Sequence, residues 1–233
     1  MDDLTKRRLL IATKPLLSRD DWPRVRDLWQ PYIADGDLDA QAQLAYMCLW
    51  CFDEPEETDR EMRDLLRAAA ESGHADAMYW LASVLEPRGA RRDELLKRAA
   101  ELGSRGAQRT LGVYYATGRW TGAKDSTQAV YWYTLAAERN HDDAQYNLGF
   151  MLLLGDGAEP SVNEGLRWLR SSAEMGNADA MRLLADLYEN GYYGVPKQPD
   201  EAEKWKRRYR TDDESRGREE KPACYLHDLE GSL

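Results

Sequence analysis

The sequence predicts an all-α solenoid, a row of helix pairs in which each pair packs on the next, and two recurring patterns carry that prediction. The first is an Ala, a Leu four residues later and a small residue straight after that Leu. It occurs at Ala40/Leu44/Ala45, Ala77/Leu81/Ala82, Ala107/Leu111/Gly112, Ala144/Leu148/Gly149 and Ala180/Leu184/Ala185, with spacings of 37, 30, 37 and 36 residues. The second, in step with it, reads AAESG at 69, AAELG at 99, AAERN at 136 and SAEMG at 172. Each copy closes a helix. The final residues are Gly73, Gly103, Asn140 and Gly176, and Asn is the other residue that tolerates the left-handed conformation of a helix C-terminus.

Taken in order, residues 1–38 form an N-terminal segment with a capping helix near 22–36, where Pro23 suits a first helical turn and Ala34-Asp35-Gly36 ends it. The apolar stretch Leu9–Ala12 is too short for a signal peptide, and no uninterrupted apolar run approaches the roughly 20 residues needed to span a bilayer. The repeat domain covers 39–210, with units near 39–74, 75–104, 105–141, 142–177 and 178–210. Within a unit, a large apolar residue stands four before the closing Ala or Ser: Leu65, Leu95, Trp132 and Trp168, with Trp205 continuing the series. Small residues mark where two helices approach closely, and large ones fill between them.

The second unit is shortened. Leu81 to Leu95 is 14 residues where the corresponding intervals are 21, 21 and 20, so about seven residues, close to two helical turns, are missing. Removing one turn from each helix, or removing the loop alone, keeps the apolar faces in phase, with a tight turn expected at Pro87–Ala90. Residues 211–233 read as a charged tail that regains apolar character at ACYL.

Composition narrows the function. The 233 residues include 13 Tyr and 8 Trp, too much ring area for a disordered chain, and 42 acidic against 32 basic residues give a net charge of -10 that disfavours nucleic acid. Three cysteines, at 48, 51 and 224, are too few and too unevenly placed for a disulfide framework, which points to a reducing, cytoplasmic setting.

The segment DDAQYNLGFMLLLGDGAEPSVNEGLRWLRSSAEMGN (142–177) resembles the Sel1-like repeat, a relative of the tetratricopeptide repeat, and 106–140 and 178–205 carry the same signature. The resemblance extends over about 39–210. It implies a right-handed αα superhelix of about five repeats whose first helices line a concave groove.

Little chemistry competes with that reading. His74 and His141 occupy the same turn of two repeats and read as structural, and His227 lies in the tail without an identifiable partner. Cys48 and Cys51 form a lone C-x-x-C inside a helix, better read as core packing than as a metal or redox site, because no second pair completes a zinc site. No Ser is followed by Lys at Ser-x-x-Lys spacing, which disfavours a hydrolase, and the glycine-rich segments lack a phosphate-loop pattern. No catalytic residue, cofactor or metal is expected.

By analogy with tetratricopeptide packing, contact residues lie two and five before each repeat Leu and two after it. These are Tyr46; Asp76, Tyr79 and Ser83; Arg109 and Val113; Asp143, Tyr146 and Phe150; and Asp179, Arg182 and Asp186. A clamp for a C-terminal carboxylate is not expected, since Ala42, Tyr79, Arg109, Tyr146 and Arg182 stand at one of its key positions. The acidic run 53–64 suits steering of a basic partner at low salt. The basic run 204–210 suits the end of the last helix. The expected function is a non-catalytic scaffold or adaptor for a protein partner. The alternative is a bacterial immunity protein that blocks a toxin, and membrane insertion and homodimerisation are not predicted.

Overall fold

The computed structural model describes residues 2–13, 21–51, 56–84 and 89–216, all of them helical or in turns between helices. In chain order the helices are α1 (Asp3–Thr13), α2 (Trp22–Ala34), α3 (Leu38–Cys51), α4 (Glu56–Glu71), α5 (Ala75–Val84), α6 (Ala90–Glu101), α7 (Arg105–Thr117), α8 (Ser126–Glu138), α9 (Asp142–Leu154), α10 (Val162–Glu174), α11 (Ala178–Asn190) and α12 (Pro199–Arg216). From α3 to α12 they form five consecutive pairs, an all-α solenoid with helices α1 and α2 ahead of it. Two compact units divide the chain, with the boundary between Ala107 and Gln108 inside α7.

The repeated letters are the core. All five repeat Ala residues have no exposed surface, and Leu44, Leu81, Leu111, Leu148 and Leu184 are at most 3% exposed. The small residue after each Leu is small because the second helix presses on it. A Cβ on Gly112 would lie 2.6 Å from the Tyr133 ring, and one on Gly149 would lie 2.8 Å from the Gly165 carbonyl oxygen. In the first four pairs the deepest residue of the second helix is one later than the sequence series indicates, Leu66, Leu96 and Leu169 being fully buried and Tyr133 3% exposed; of the series itself Leu65, Leu95 and Trp168 are half-buried, while Trp132 and Trp205 are buried. The helical period explains the offset, since both positions border the apolar stripe and only one faces its centre.

Helix ends follow the expected chemistry. Gly73, Gly103, Asn140 and Gly176 all have positive φ, Asn140 at 58°. Three residues before each repeat Ala stands a capping position. The Ala40 N–H donates to Asp37 Oδ1 (2.9 Å), Ala77 to His74 Nδ1 (3.1 Å) and Ala180 to Asn177 Oδ1 (2.9 Å). Ser172, which replaces the first Ala of the closing pattern, uses its hydroxyl, donating to the Asp142 carbonyl at 2.8 Å.

The second pair shares its deletion unequally. Helix α5 has 10 residues and α6 has 12, against 13 each in α7 and α8, so about a turn comes off α5 and most of the remainder off the connection. The expected turn at Pro87–Ala90 lies mostly outside the described residues. At the N-terminus, α2 begins with Pro23 in its first turn as expected, whereas α1 has no counterpart in the repeat pattern. The two are joined through fully buried Trp29, whose indole N–H donates to the Thr13 hydroxyl (3.0 Å), which in turn donates to the Leu9 carbonyl (2.8 Å).

The last pair ends differently. At the positions filled by Leu169, Ser172 and Ala173 in the fourth pair, α12 carries Lys206, Tyr209 and Arg210. Together with Met181, Arg182, Ala185 and Asp186 they line an open pocket of about 390 Å³. No glycine or proline interrupts the chain between Pro199 and Gly217, so α12 continues to Arg216 and the basic run 204–210 lies in its middle, not at its end. There Lys206 pairs with Glu189 (2.7 Å) and Arg210 with Glu203 (2.8 Å). The tail from 217 on, with Cys224 and His227, lies outside the described residues, as do residues 53–55 of the acidic run and the Cys51 side chain. Cys48 is fully buried in the core.

Candidate binding face of the first helices

In three of the five repeats the carboxylate one residue before the repeat Ala, Asp39, Asp76 or Asp143, is tied into the stack. His74 accepts its own helix's N–H at Nδ1, which places the ring proton on Nε2, and that nitrogen meets Asp39 Oδ1 at 2.9 Å. Lys6 adds a second contact to the same oxygen at 3.3 Å. The hydrogen bond from His74, with the charge of Lys6 behind it, holds the Asp39 carboxyl down at about 2. Ser104 repeats the arrangement, its hydroxyl donating to Asp76 Oδ1 at 2.6 Å, and Asn177 repeats it again, its amide donating to Asp143 Oδ1 at 3.1 Å. One residue therefore caps its own helix and fastens it to the helix pair before.

The third repeat departs from this rule because Gly106 stands where the carboxylate belongs. The half-buried Tyr79 ring accounts for the glycine, since a Cβ there would come within 2.5 Å of it. His141, the corresponding capping residue, lies beside Asp142 instead, at 3.7 Å.

The expected contact residues separate into three groups. Tyr46 is a correction: it is 4% exposed and stacks on Trp80 at 4.4 Å, so it belongs to the core, with the indole covering the ring that the helical register points outward. Asp76 and Asp143 are half-buried and engaged as above, and Arg109 donates to Asp143 Oδ2 at 3.0 Å. Buried Tyr133, near that pair, has its hydroxyl pushed up to about 12 by burial. Val113 is half-buried against the core, and Tyr146 is half-buried, its hydroxyl raised by burial and by the charge of Asp179. Asp179 and Arg182 are exposed and paired with each other, and the Arg182 guanidinium lies 5.7 Å from the Tyr209 ring.

Ser83, Phe150 and Asp186 remain available on the surface. Ser83 and Asp186 are exposed, and Asp186 forms no ion pair among the described residues. Phe150 is half-buried and meets Tyr193 edge-on at 6.3 Å. The residues absent from the expected set are Asp39, His74, Ser104, Asn177 and Tyr193. Asp39 was legible by register, since it precedes its repeat Ala as Asp76, Asp143 and Asp179 precede theirs.

Among the described residues no group of three or more His, Cys, Asp or Glu is placed to hold a metal ion, and no helix is long and apolar enough to cross a membrane. The fold is typical of non-catalytic repeat scaffolds.

Comparison with known proteins agrees with this architecture. The Sel1 repeat family model matches residues 75–104, 106–141, 142–177 and 178–207. A Sel1 repeat protein from Oxalobacter formigenes superposes with a TM-score of 0.70 at 25% identity, over 89% of this chain and 86% of that one. The immunity protein PA5088 from Pseudomonas aeruginosa shares the fold, with a TM-score of 0.63 at 18% identity over 92% and 84% of the two chains. The chitin synthase regulator SKT5 of Malassezia restricta is 36% identical over 117 residues, which are 49% of this chain and 8% of that much longer protein.

Proposed function

The chain belongs to the Sel1 repeat family, a tetratricopeptide-like fold used for protein–protein binding, and from that premise we propose that it binds a protein through its first-helix faces and neutralises that partner by direct contact, as an immunity protein does. The observation that carries the reading is the near-complete overlay with a compact immunity protein of similar length. That support is one of fold, and fold alone leaves the partner open. The second unit supports it further: half-buried Phe150 and exposed Asp186 stand on first helices of packed pairs, an aromatic and polar presentation suited to gripping a protein. Net charge of -10 favours a basic partner, and the cytoplasm is the compartment we assign.

A scaffold or adaptor role is the second reading, favoured by the sequence match to a chitin synthase regulator. One experiment separates the two. The partner is captured from lysate with the wild-type chain and with the Tyr79→Ala, Tyr146→Ala, Phe150→Ala triple variant, and its activity is then assayed against added chain. Immunity requires that activity fall to zero at one chain per partner. An adaptor leaves the activity intact, and equal capture by the folded triple variant removes the first-helix face from either reading.

A further inference from the structure

One apolar patch in the second unit is left open to water. Phe150 and Leu154 stand one turn apart on the same side of α9. Tyr193 meets Phe150 edge-on, and Tyr192 lies 6.4 Å beyond Tyr193. Leu154, Tyr192 and Tyr193 are 44%, 55% and 46% exposed. Tyr193 sits in a 3₁₀ turn, Tyr192–Gly194, at φ 55°, a left-handed conformation that side chains bearing a Cβ rarely adopt. Backbone strain spent on a half-exposed ring does not serve core packing, and strain of this kind gathers where a surface has a task.

The surroundings of the patch are electronegative. Helices α9 and α11 both end beside it, at Leu154 and Asn190, and neither has a basic residue in its last turn to offset the negative end of its dipole. Asp186, one turn before Asn190, is an exposed carboxylate with no ion pair among the described residues. So is Glu159, next to Pro160, which packs against Gly155 at the end of α9. Asp186 shares an open pocket with Arg182, Lys206 and Arg210, each already paired with another carboxylate, Asp179, Glu189 and Glu203. One further cation is close: the aliphatic stem of Lys197 crosses Gly191. Its single charge stands against two carboxylates and two helix ends. Aromatic faces beside net negative charge select a cation that also has an apolar stem.

We propose that this patch is the anchor for an arginine-bearing segment of a protein partner, the guanidinium over the Tyr193 and Phe150 rings and its stem along Leu154. The assignment rests on the partner-binding reading and gives that partner its chemistry: an arginine exposed on a loop or tail. The planar guanidinium suits the rings better than a lysine ammonium, because it stacks on an aromatic face and is more weakly hydrated.

The test uses the full-length chain and the peptide acetyl-Gly-Arg-Gly-Arg-Gly-amide beside its citrulline twin, which has the same shape without the charge. Binding at low salt is followed by backbone amide NMR shifts. The expected result is a set of shifts confined to residues 150–157 and 186–197 with the arginine peptide, at least about tenfold weaker binding of the citrulline peptide, and loss of the shifts in Phe150→Ala and in Tyr193→Gly. The glycine variant fits the positive φ of its site, so its melting temperature should stay within a few degrees of wild type, which separates lost binding from lost folding. Equal binding of the citrulline peptide, shifts spread over the acidic surface, or shifts that persist in both variants would overturn the proposal. A captured partner held equally well by the Phe150→Ala, Tyr193→Gly double variant would remove the anchor and leave partner binding standing. A specific peptide response with no inhibited partner would do the reverse.

Discussion

Asp39 shows how much can rest on one unremarked carboxylate. It is fastened by His74, a residue 35 positions later, and by Lys6, so it links the N-terminal helices to the first two repeats. Its carboxyl is held near 2 against an ordinary 3.8, so the stability it contributes is fully present above pH 4 and is lost as pH falls through about 2. Asp39→Asn should therefore cost on the order of 1 kcal/mol at pH 7, the side chain being 34% exposed and its attraction screened, and nothing below pH 2. Urea unfolding of both proteins at pH 7 and pH 2 checks this, and an undiminished difference at pH 2 would contradict it. The sequence held half of this pair in plain view. The register of Asp39 matches that of Asp76 and Asp143, but the partners at this register read His74, Ser104 and Asn177, three letters for one task, and no spacing rule joins them.

At the scale of the element, the five pairs solve one packing problem with different letters. The small residue after the repeat Leu faces the deep residue of the second helix in the third and fourth pairs, Gly112 against Tyr133 and Gly149 against Leu169. Gly112 makes the room that the Tyr133 ring occupies. Gly112→Ala alone should destabilise by about 1–3 kcal/mol through overpacking, a fall in melting temperature of roughly 2–4 °C per kcal/mol in a chain of this size. Adding Tyr133→Leu, the residue used in three sister pairs, should recover most of that loss. A thermal double-mutant cycle measures it, and additive losses would contradict the pairing. These cores were legible because small and large residues recur at fixed offsets. Helix α1 was not legible because it has no sister to be compared with, and Tyr46 was misread because its outward register does not disclose that Trp80 folds over it.

The whole molecule is built from neighbours. Within each unit a helix pair buries its face on its neighbour, so stability is local and passes by adjacent interfaces. Leu169 is fully buried among residues of α9, α10 and α11. Its replacement by Ala should cost about 2–5 kcal/mol. Hydrogen exchange should show lost protection in α9–α12, with α2–α6 unchanged, and a uniform loss would mean a single cooperative body instead. The fold class and the five pairs were readable at this scale from repetition alone, while the strained turn at Tyr193 was not, because nothing in NGYYG says which residue will take the positive φ. Lys206, Tyr209 and Arg210 also bear on how such a chain can lengthen. Duplication of an internal unit such as 142–177 gives the copy an apolar seat of Leu169, Ser172 and Ala173. A copy appended after α12 would meet charge and an aromatic ring where it needs an apolar seat. Tandem copying is therefore favoured among the internal pairs and disfavoured directly against α12.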